Sequence, residues 1–375
     1  MEGTAKIKHG DLTAESRSFS YKKNLDMLST DQGVVFSSRR LSGKARTMVY
    51  SFKEASVRLA GEVELQLVDP SKKAAPLVIN GHVFTYNRKR KQGSGTGAIR
   101  FSLGQSRGQA EAAEFALTSD EQFLDSLLLT GNVRASLIED QGSSPSEGNF
   151  VLTKAREREL SAAEVNLKGF PDRPKIDYLT ASGQCLLRSI ASSGELAEVR
   201  ADEMYMPFNT RGGMRGLSAL AKASLVEKDK DGKVKRTMTG NEIIIGPQGE
   251  SVKVKADKEG EARVTTPDSE ILAKEISLDP ESEILDARGD VKAILSLQPE
   301  AAGGGGFFST DKPVFIICQG LRYEKDGERL FLRENIRMWQ EKKMLYAGKL
   351  TILKKTADLS GEGQVRTVFP NTPKK

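Results

Sequence analysis

The chain has 375 residues, of which 38% are hydrophobic and 6% aromatic, and its 57 basic and 51 acidic residues leave a formal net charge of +6. This length suffices for two ordinary domains or one long repeat array. The small basic excess fits an anionic partner, but it fits a merely soluble surface at least as well. No apolar run approaches the roughly 18 residues that a membrane-spanning helix needs.

The first forty residues are polar with short apolar stretches at 19–21 and 34–36, which predict short edge strands. The N-terminus contains no apolar segment of the signal-peptide kind. We therefore expect either a cytoplasmic protein or a mature or trimmed chain.

The segment 57–67 organises the rest of the sequence because it alternates between an apolar face and a polar face. Such alternation is typical of a half-buried antiparallel strand. A glycine inside a strand usually marks a bend or a close approach of another group. The apolar face consists of Val57, Leu59, Gly61, Val63, Leu65 and Leu67.

The same pattern recurs along the chain, which predicts stacked supersecondary units. The spacing from Gly61 to Gly131 and from Ala219 to Gly289 is 70 residues in both cases (131 − 61 and 289 − 219). Accidental recurrence of an alternating motif is the alternative. In the copy at 330–338, Glu334 occupies the glycine position. The other copies place on one face Leu127, Leu129, Gly131, Val133, Ala135 and Leu137; Leu285, Ala287, Gly289, Val291, Ala293 and Leu295; and Leu359, Gly361, Gly363, Val365 and Phe369.

Loop-like segments punctuate these strands. The polar segment 141–149 and the glycine-rich segment 299–306 suggest boundaries between three modules, 1–148, 149–300 and 301–375. The basic residues 88–91 predict a solvated hairpin tip, and the glycines at 93, 95 and 97 predict a turn, since a phosphate-binding loop would require a following helix with a Lys-Ser/Thr pair. Helical periodicity with caps is absent, so the sequence predicts a nearly all-β fold of roughly 30 short strands.

The residue types that carry catalysis or bind metals are sparse. The two histidines, His9 and His82, have no metal-ligand spacing with the two cysteines, Cys185 and Cys318. Both cysteines lie in apolar contexts, which predicts two buried thiols. We therefore predict no catalytic residue, metal or cofactor, and we expect no nucleic-acid partner because basic and acidic residues alternate and aromatics are few.

The repeated unit resembles the OstA-like (LptA/LptC-type) family of lipopolysaccharide-transport proteins. The pattern is Leu-x-Gly-x-Val, followed after a short polar turn by Ala-[Asp/Glu]-x-[apolar]. Each motif is short, and the resemblance comes from its repetition over most of the chain. The residues that carry it are Leu59-Ala-Gly61-Glu-Val63, Leu129-Thr-Gly131-Asn-Val133, Ala287-Arg-Gly289-Asp-Val291 and Gly363-Gln-Val365, with Leu41-Ser-Gly43-Lys-Ala45, Ala201-Asp202 and Ala256-Asp257.

This resemblance implies an open β-jelly-roll, shaped like a folded taco, whose apolar groove shelters lipid acyl chains. It also implies a periplasmic location and head-to-tail strand addition with proteins of the same fold, which form a bridge with membrane-anchored transport components. The inward glycines would then leave width between facing sheets. The expected ligand is lipopolysaccharide or a similar lipid, and the expected groove-lining residues are Val57, Leu59, Val63, Leu65, Leu127, Leu129, Val133, Leu137, Leu285, Val291, Leu332, Ile336 and Val365.

Two departures from the family pattern are visible, namely the length of the chain and the carboxylate of Glu334. They are consistent with several fused modules or with a relative that handles another lipid. Two other classes of function stay open at this point. One is a structural β-solenoid or sandwich with a closed interior and no lipid. The other is a polysaccharide-acting enzyme, against which the 6% aromatic content argues.

Overall fold

The computed structural model describes residues 4–38, 41–67, 76–121, 123–138, 152, 155, 157–170, 175–210, 213–296, 307–309, 312–324, 328–354, 356 and 358–369. Within these residues the chain forms 27 strands and one short 3-10 turn at Pro247–Gly249. The prediction of an all-β, jelly-roll-like fold of antiparallel strands is confirmed.

The chain divides into two compact units. The first comprises Met1–Ser144, Glu157–Leu187 and Tyr205–Gly213, and the second comprises Pro145–Arg156, Arg188–Met204 and Met214–Lys375. Both predicted module boundaries, at 148/149 and at 300/301, lie outside the described residues. The division into three modules therefore stays a prediction.

The strands of the first half of the chain are short up to residue 51 and long thereafter. They are β1 (Ala5–His9), β2 (Leu12–Ser16), β3 (Ser20–Lys22), β4 (Met27–Thr30), β5 (Val34–Ser37), β6 (Leu41–Ala45), β7 (Thr47–Ser51), β8 (Ser56–Leu67), β9 (Leu77–Asn87), β10 (Gln92–Leu103), β11 (Ser106–Leu117), β12 (Leu124–Ile138), β13 (Glu157–Gly169) and β14 (Ile176–Ile190).

The second half repeats this mixture of long strands and short ones. Its strands are β15 (Leu196–Pro207), β16 (Leu217–Lys228), β17 (Val234–Ile245), β18 (Val252–Lys255), β19 (Ala262–Thr266), β20 (Ser269–Ala273), β21 (Glu275–Asp279), β22 (Ile284–Leu295), β23 (Val314–Glu324), β24 (Arg329–Gln340), β25 (Lys343–Leu353), β26 (Asp358–Glu362) and β27 (Arg366–Val368).

In the first unit, the bend in the long strands divides the sheet into two parts, which we call half-sheets. The short strands β3, β4 and β7 belong to one half-sheet, and β1, β2, β5 and β6 belong to the other. Strand β8 pairs with β7 along its first half and with β6 along its second half. On one side, β7 pairs with β4 and β4 pairs with β3. On the other side, β6 pairs with β5, β5 with β2, and β2 with β1. From β8 onward the strands follow one another as antiparallel neighbours as far as β13. The predicted edge strand at 34–36 is therefore an inner strand, because β5 has a partner on each side.

In the second unit, long strands likewise pair with different short strands along different parts of their length. Strand β17 pairs with β18 along its last residues and with β19 along its middle, and β22 pairs with both β20 and β21. Long antiparallel pairs then run from β22 to β25, and β25 pairs with β26 and β27. Short strands thus complete one half-sheet at a time in both units.

Every second long strand bends at two consecutive residues with positive φ. In β8 these are Gly61 at +75° and Glu62 at +51°. The first of the two is usually glycine, because the left-handed region costs other residues free energy. In the described residues such pairs are Gly61–Glu62, Gly97–Ala98, Gly131–Asn132, Gly183–Gln184, Ala221–Lys222, Gly289–Asp290 and Glu334–Asn335.

The pairs in β8, β10, β12, β16, β22 and β24 each form a β-bulge. Ala60 of β8 lies opposite Val83 of β9, but the next aligned pair is Val63 with Gly81. The bulged strand therefore has one residue more than its partner, which bends it and increases its twist.

The bulge explains why only alternate strands show an unbroken period of two. In β8 the buried residues Leu59 and Val63 keep the same phase across the bend. In β9 the buried residues Ile79 and Phe84 have opposite phase. The same change of phase, with buried residues three apart, occurs at Ala110 and Ala113 in β11, Ala162 and Val165 in β13, Cys318 and Leu321 in β23, and Ala347 and Leu350 in β25.

The prediction that the repeated glycines widen the interior is wrong. A Cβ atom added at Gly61 would lie 2.8 Å from Cβ of Arg46, whose side chain is exposed. A Cβ atom at Gly183 would lie 2.6 Å from Cβ of Ala163, which is also exposed. These glycines stand at the corner of the folded sheet, where the backbones approach closely, and the interior is lined by their neighbours.

Candidate ligand cavity

The first unit contains an apolar cavity of about 280 Å³, enclosed by the half-sheets that meet along β8. Its size approaches the lower end of the roughly 300–1,000 Å³ that small-molecule sites occupy. Its apolar lining comprises Leu12, Phe36, Leu41, Met48, Tyr50, Val57, Leu59, Leu65, Leu67, Phe84, Phe115 and Leu117.

Strand β8 supplies lining residues on both sides of its bend. Val57 and Leu59 precede the bulge, and Leu65 and Leu67 follow it. Leu59 and Leu65 are each 3% exposed, whereas Val57 and Leu67 are half-buried. The half-buried pair thus lies toward the ends of the strand, and the buried pair lies on either side of its bend.

Three aromatic rings of the lining each lie on a glycine of a neighbouring strand. Cβ atoms added at Gly43, Gly93 and Gly95 would lie closer than 3.0 Å to ring atoms of Phe36, Phe115 and Phe84, respectively. Real Cβ atoms essentially never approach so closely, so a larger residue would displace the ring. These glycines determine where the aromatic walls of the cavity stand.

The glycine-rich segment at 93–97 is therefore not the predicted turn. It forms the first half of β10, which pairs with β9 on one side and β11 on the other. A strand with glycine at alternate positions has a flat face, and here rings from both neighbouring strands cover that face. The turn lies earlier, at 88–91, where Lys89 and Arg90 are exposed as predicted for a solvated hairpin tip.

Tyr86 places a polar atom against this apolar lining. Its hydroxyl oxygen is buried and has no hydrogen-bond partner. Its ring stacks on Phe115, with centroids 6.1 Å apart and planes 7° from parallel. Burial, with a smaller effect from Glu121, raises the pKa of Tyr86 to about 12, so the hydroxyl keeps its proton at neutral pH.

Charged residues line the rim of the cavity. The guanidinium of Arg88 forms an ion pair with Asp11, with Nη2 2.8 Å from Oδ1. Asp120 accepts a hydrogen bond of 2.6 Å from the Thr118 hydroxyl, and Glu121 also lines the cavity. Groups of both charges therefore line the rim.

The predicted groove residues of the first unit do not all contact this cavity. Val57, Leu59 and Leu65 line it, whereas Val63 is 1% exposed and is packed next to the bend of β8. The four residues of β12 lie on its inward face, three of them buried and one half-buried: Leu127, Leu129, Val133 and Leu137.

In the second unit, the predicted residues Leu285, Val291, Leu332 and Ile336 are 0–7% exposed. The expectation that Val365 faces inward is wrong, since it is 47% exposed and lies in the turn between β26 and β27. Its N–H donates to the carbonyl of Gly363, which closes that turn. Contact with lipid stays a prediction for the whole set.

Several cavity residues were missed by the sequence reasoning. Asp11, Arg88 and Glu121 come from turns far apart in the chain, and no local pattern joins them. The rings of Phe84 and Phe115 had a usable signal, namely alternating glycines beside strands that each carry one aromatic residue.

The described residues contain no group of three or more His, Cys, Asp or Glu side chains that could hold a metal ion. The prediction of two buried thiols is confirmed, since Cys185 and Cys318 are both buried and neither forms a disulfide. Burial raises the pKa of the Cys318 thiol to about 11, so it is not a nucleophile at neutral pH. In the part of the chain that the structure describes, no helix has the length and hydropathy required for a membrane span.

No protein-family model matches the chain, and no curated protein matches it either. Among solved structures it is similar to LptH from Pseudomonas aeruginosa, the LptA-homologous periplasmic component of a lipopolysaccharide transport device. The identity is 11%, the TM-score is 0.26, and the match covers 32% of this chain and 85% of LptH. The likeness in fold is thus distant and limited to about a third of the chain.

Proposed function

We propose that this protein is a non-enzymatic lipid carrier or bridge of the periplasm, which shelters acyl chains of lipopolysaccharide or a related lipid between inner and outer membrane. The observation that carries the proposal is the apolar cavity of the first unit, with its aromatic walls and open, charged rim. The repeated Leu-x-Gly-x-Val motif, which resembles lipopolysaccharide-transport proteins, supports the same function.

The dimensions of the cavity suit part of one acyl chain. Its volume of about 280 Å³ exceeds the ~150 Å³ of an engineered apolar cavity that binds benzene. Each methylene group buried there contributes about 0.8 kcal/mol. A few methylenes are therefore enough for measurable binding, while the rest of the lipid remains outside.

The test is to fill the cavity from a half-buried position. Val57→Trp places a large ring in the cavity without opening the buried core, whereas Arg58→Trp places the same ring on the opposite, exposed face of β8. We expect Val57→Trp to reduce binding of a fluorescent acyl probe at least tenfold and Arg58→Trp to leave it unchanged. Mass spectrometry of the purified protein should find acyl lipid on the wild type and less on the Val57 variant. Equal probe binding by both variants would contradict the proposal.

We further propose that this protein associates by strand addition, either with further copies of itself or with partners of the same fold, including membrane-anchored components. In the described residues, β3 pairs only with β4, and β26 pairs only with β25. Such edges present unpaired N–H and C=O groups to another chain. Because these edges differ, the contact is heterologous and extends into filaments unless it is capped.

Association is tested at β26 rather than at Val365, whose N–H is already used in its own turn. Neighbouring N–H groups of a strand point alternately to its two sides, so one of Ser360→Pro and Gly361→Pro removes a donor from the free edge. The variant that keeps the wild-type thermal midpoint is expected to sediment as a smaller species. A wild-type protein that stays monomeric at high concentration, alone and with membrane-anchored partners, would exclude the bridge.

A structural scaffold without lipid is the second candidate, and the second unit favours it. Its inward residues are closely packed, with Ile243, Val252, Val291 and Cys318 all fully buried. A purified protein that is free of lipid and does not bind the acyl probe would support this alternative.

A further inference from the structure

The outward face of strands β22–β25 differs on the two sides of the bend. Successive residues of a strand point to opposite faces, and Ile316 and Met338 are buried, so the residues next to them face outward. On one side of the bend, an outward row that runs across the paired strands is mostly polar: Asp286, Arg322, Phe331, Thr351 and Ser360. On the other side, the corresponding row is entirely apolar: Ile294, Phe315, Trp339, Met344 and Val368.

The apolar row is continuous over five strands. All five side chains are half-buried, and the rings of Phe315 and Trp339 stack with centroids 5.4 Å apart and planes 15° from parallel. Phe369, which follows Val368, is 61% exposed. Scattered exposed apolar residues are ordinary, whereas a contiguous apolar patch marks an interaction surface. The row therefore has the character of a docking surface.

A second outward row lies between the apolar row and the bend, and it combines cationic with apolar side chains. Its members are Lys292, Ile317, Arg337, Tyr346 and Arg366. The guanidinium of Arg337 lies over the apolar row, with Cζ 5.4 Å from the centroid of the Trp339 ring. Lys292 forms an ion pair with Glu261, with Nζ 2.6 Å from Oε1. In the described residues, Arg337 and Arg366 form no ion pair.

The charge around the two rows is positive, and it is most positive toward β24–β27. Across the elements that border the rows, the described basic residues are Arg263, Lys274, Lys292, Lys312, Arg337, Lys342, Lys343 and Arg366. The described acidic residues are Glu259, Glu261, Glu270, Asp290, Glu334 and Glu341. The excess is two positive charges (8 − 6), and the adjoining ion pair of Lys349 and Glu362 adds no net charge. From residue 312 onward five of these cations stand against two carboxylates, one of which, Glu341, is paired with Lys312.

An anionic lipid bilayer matches both features of this face. Trp and Tyr side chains prefer the membrane–water interface, where the ring meets the apolar boundary and its polar edge stays hydrated. Lys and Arg beside them are attracted to anionic lipid head groups at the membrane surface. A second copy of this chain fits less well, because a two-fold contact places the same patch on both partners and would set these cations opposite one another.

We propose that the apolar row and the second row together form a membrane face, which docks on the surface of a bilayer that contains anionic lipid. The contact is peripheral: the apolar row reaches the head-group region, and Arg337 and Arg366 contact lipid phosphates. This inference goes beyond the proposed function, since it adds a membrane contact in the second unit to the acyl cavity of the first.

The experiment uses the chain's own reporter, because Trp339 is its single tryptophan. The full chain is titrated at low salt with vesicles of phosphatidylcholine and phosphatidylglycerol in equal parts, and with vesicles of phosphatidylcholine alone. With the anionic vesicles we expect the tryptophan emission to shift to shorter wavelength and to be quenched by brominated acyl chains. We expect at least tenfold weaker binding to phosphatidylcholine alone, and weaker binding to the anionic vesicles at high salt.

Two matched pairs of variants assign the contact to this side of the bend. Arg337→Gln should weaken vesicle binding about fivefold, which is the effect of one cation at an anionic surface. Arg333→Gln removes an exposed arginine from the same strand on the other side of the bend and should leave binding unchanged. Phe315→Ser should weaken binding at least tenfold, whereas Phe331→Ser, on the polar side, should not. Thermal midpoints of all four variants separate loss of binding from loss of folding.

Several outcomes would overturn the inference. One is the absence of vesicle binding, and another is sedimentation with vesicles without any change in tryptophan emission, which would place the contact elsewhere on the chain. An emission shift that depends on protein concentration without vesicles would show a second copy on this face. Equal vesicle affinity of Arg337→Gln and Arg333→Gln would remove the cationic row from the contact. Binding of the acyl probe is measured separately without vesicles, so a failure of this inference is distinguishable from a failure of the proposed function.

Discussion

Strands β8 and β22 have the same sequence pattern but different surroundings. The inward residues of β22, including Leu285, Val291 and Leu295, are all 0–7% exposed. The inward face of β8 begins and ends with half-buried residues, Val57 and Leu67, which line the cavity. Alternation therefore specifies which side chains point inward, and the residues that neighbouring strands bring opposite them decide whether that space is filled.

The largest effect is expected from placing the same charge on each strand. Val291→Asp buries a carboxylate without a partner in a closed interior, which costs several kcal/mol and should prevent folding of the second unit. Val57→Asp places its carboxylate at the half-buried edge of the cavity. It should keep the thermal midpoint within a few degrees of wild type and abolish acyl-probe binding.

Circular dichroism and probe fluorescence check both variants. Comparable stability of the two variants would show that the interiors of β8 and β22 are equally open, and the distinction between the regions would then be lost.

A smaller effect is expected at a polar contact of the second unit, where Lys354 forms an ion pair with Asp268 and lies 5.8 Å from the centroid of the Tyr323 ring. Burial alone would raise the pKa of Asp268, but hydrogen bonds from Lys354 and Thr266 outweigh it and lower the pKa below its usual value. Lys354→Met should destabilise the protein by about 2–3 kcal/mol at neutral pH, because it leaves a half-buried carboxylate without its cation.

The pH dependence gives this prediction a sign. A carboxyl group with a lowered folded-state pKa stabilises the protein above its unfolded pKa of about 3.9, and this contribution is lost as the pH falls through the folded value. In Lys354→Met the burial effect remains without the cation, so the difference from wild type should shrink below about pH 4. Urea unfolding between pH 3 and 7 tests it, and a constant difference would mean that packing of the lysine stem is what matters.

The next prediction compares the effect on stability of exchanging glycine and alanine at the first residue of two bends. Gly183 has φ +80°, and an added Cβ would lie 2.6 Å from Cβ of Ala163, whereas Ala221 occupies the same kind of position with φ +59°. We expect Gly183→Ala to cost about 1–3 kcal/mol through strain and contact, and Ala221→Gly to gain up to about 1 kcal/mol. Denaturant midpoints measure both. A neutral Gly183→Ala would mean that the neighbouring strand yields easily.

The same bends explain how much the sequence could predict. The period-two pattern identified the all-β fold and the buried residues of the bulged strands β8, β12, β22 and β24, since these keep their phase across the bend. It did not extend to β9 or β11, where buried residues change phase between Ile79 and Phe84 and between Ala110 and Ala113. A search of the sequence for strict alternation of apolar and polar residues therefore does not recognise β9 or β11 as single strands.

The cavity was less predictable than the fold. Its rim is assembled from turn residues such as Asp11 and Glu121, whose proximity depends on how short strands pair with separate halves of β8. The repeat was located through Gly289 and Ala219, although the residue with the left-handed conformation in β16 is Ala221. A non-glycine residue at a bend hides the motif, as Glu334 also shows.

The smallest expected effect concerns the second residue of a bend, which is Glu62 in β8 and Asn132 in β12, at φ +51° and +47°. Asparagine tolerates the left-handed region better than glutamate does. Glu62→Asn should therefore stabilise the first unit by about 0.5 kcal/mol, and acyl-probe binding should be unchanged because the residue is exposed. The reverse change, Asn132→Glu, should cost more than that. It loses the hydrogen bond of 2.7 Å that Asn132 donates to Glu111, and it places a second carboxylate beside the first. Thermal midpoints at low and high salt separate the two contributions, since salt relieves the repulsion and not the backbone strain. Equal and opposite effects at the two bends would show that backbone conformation alone matters there.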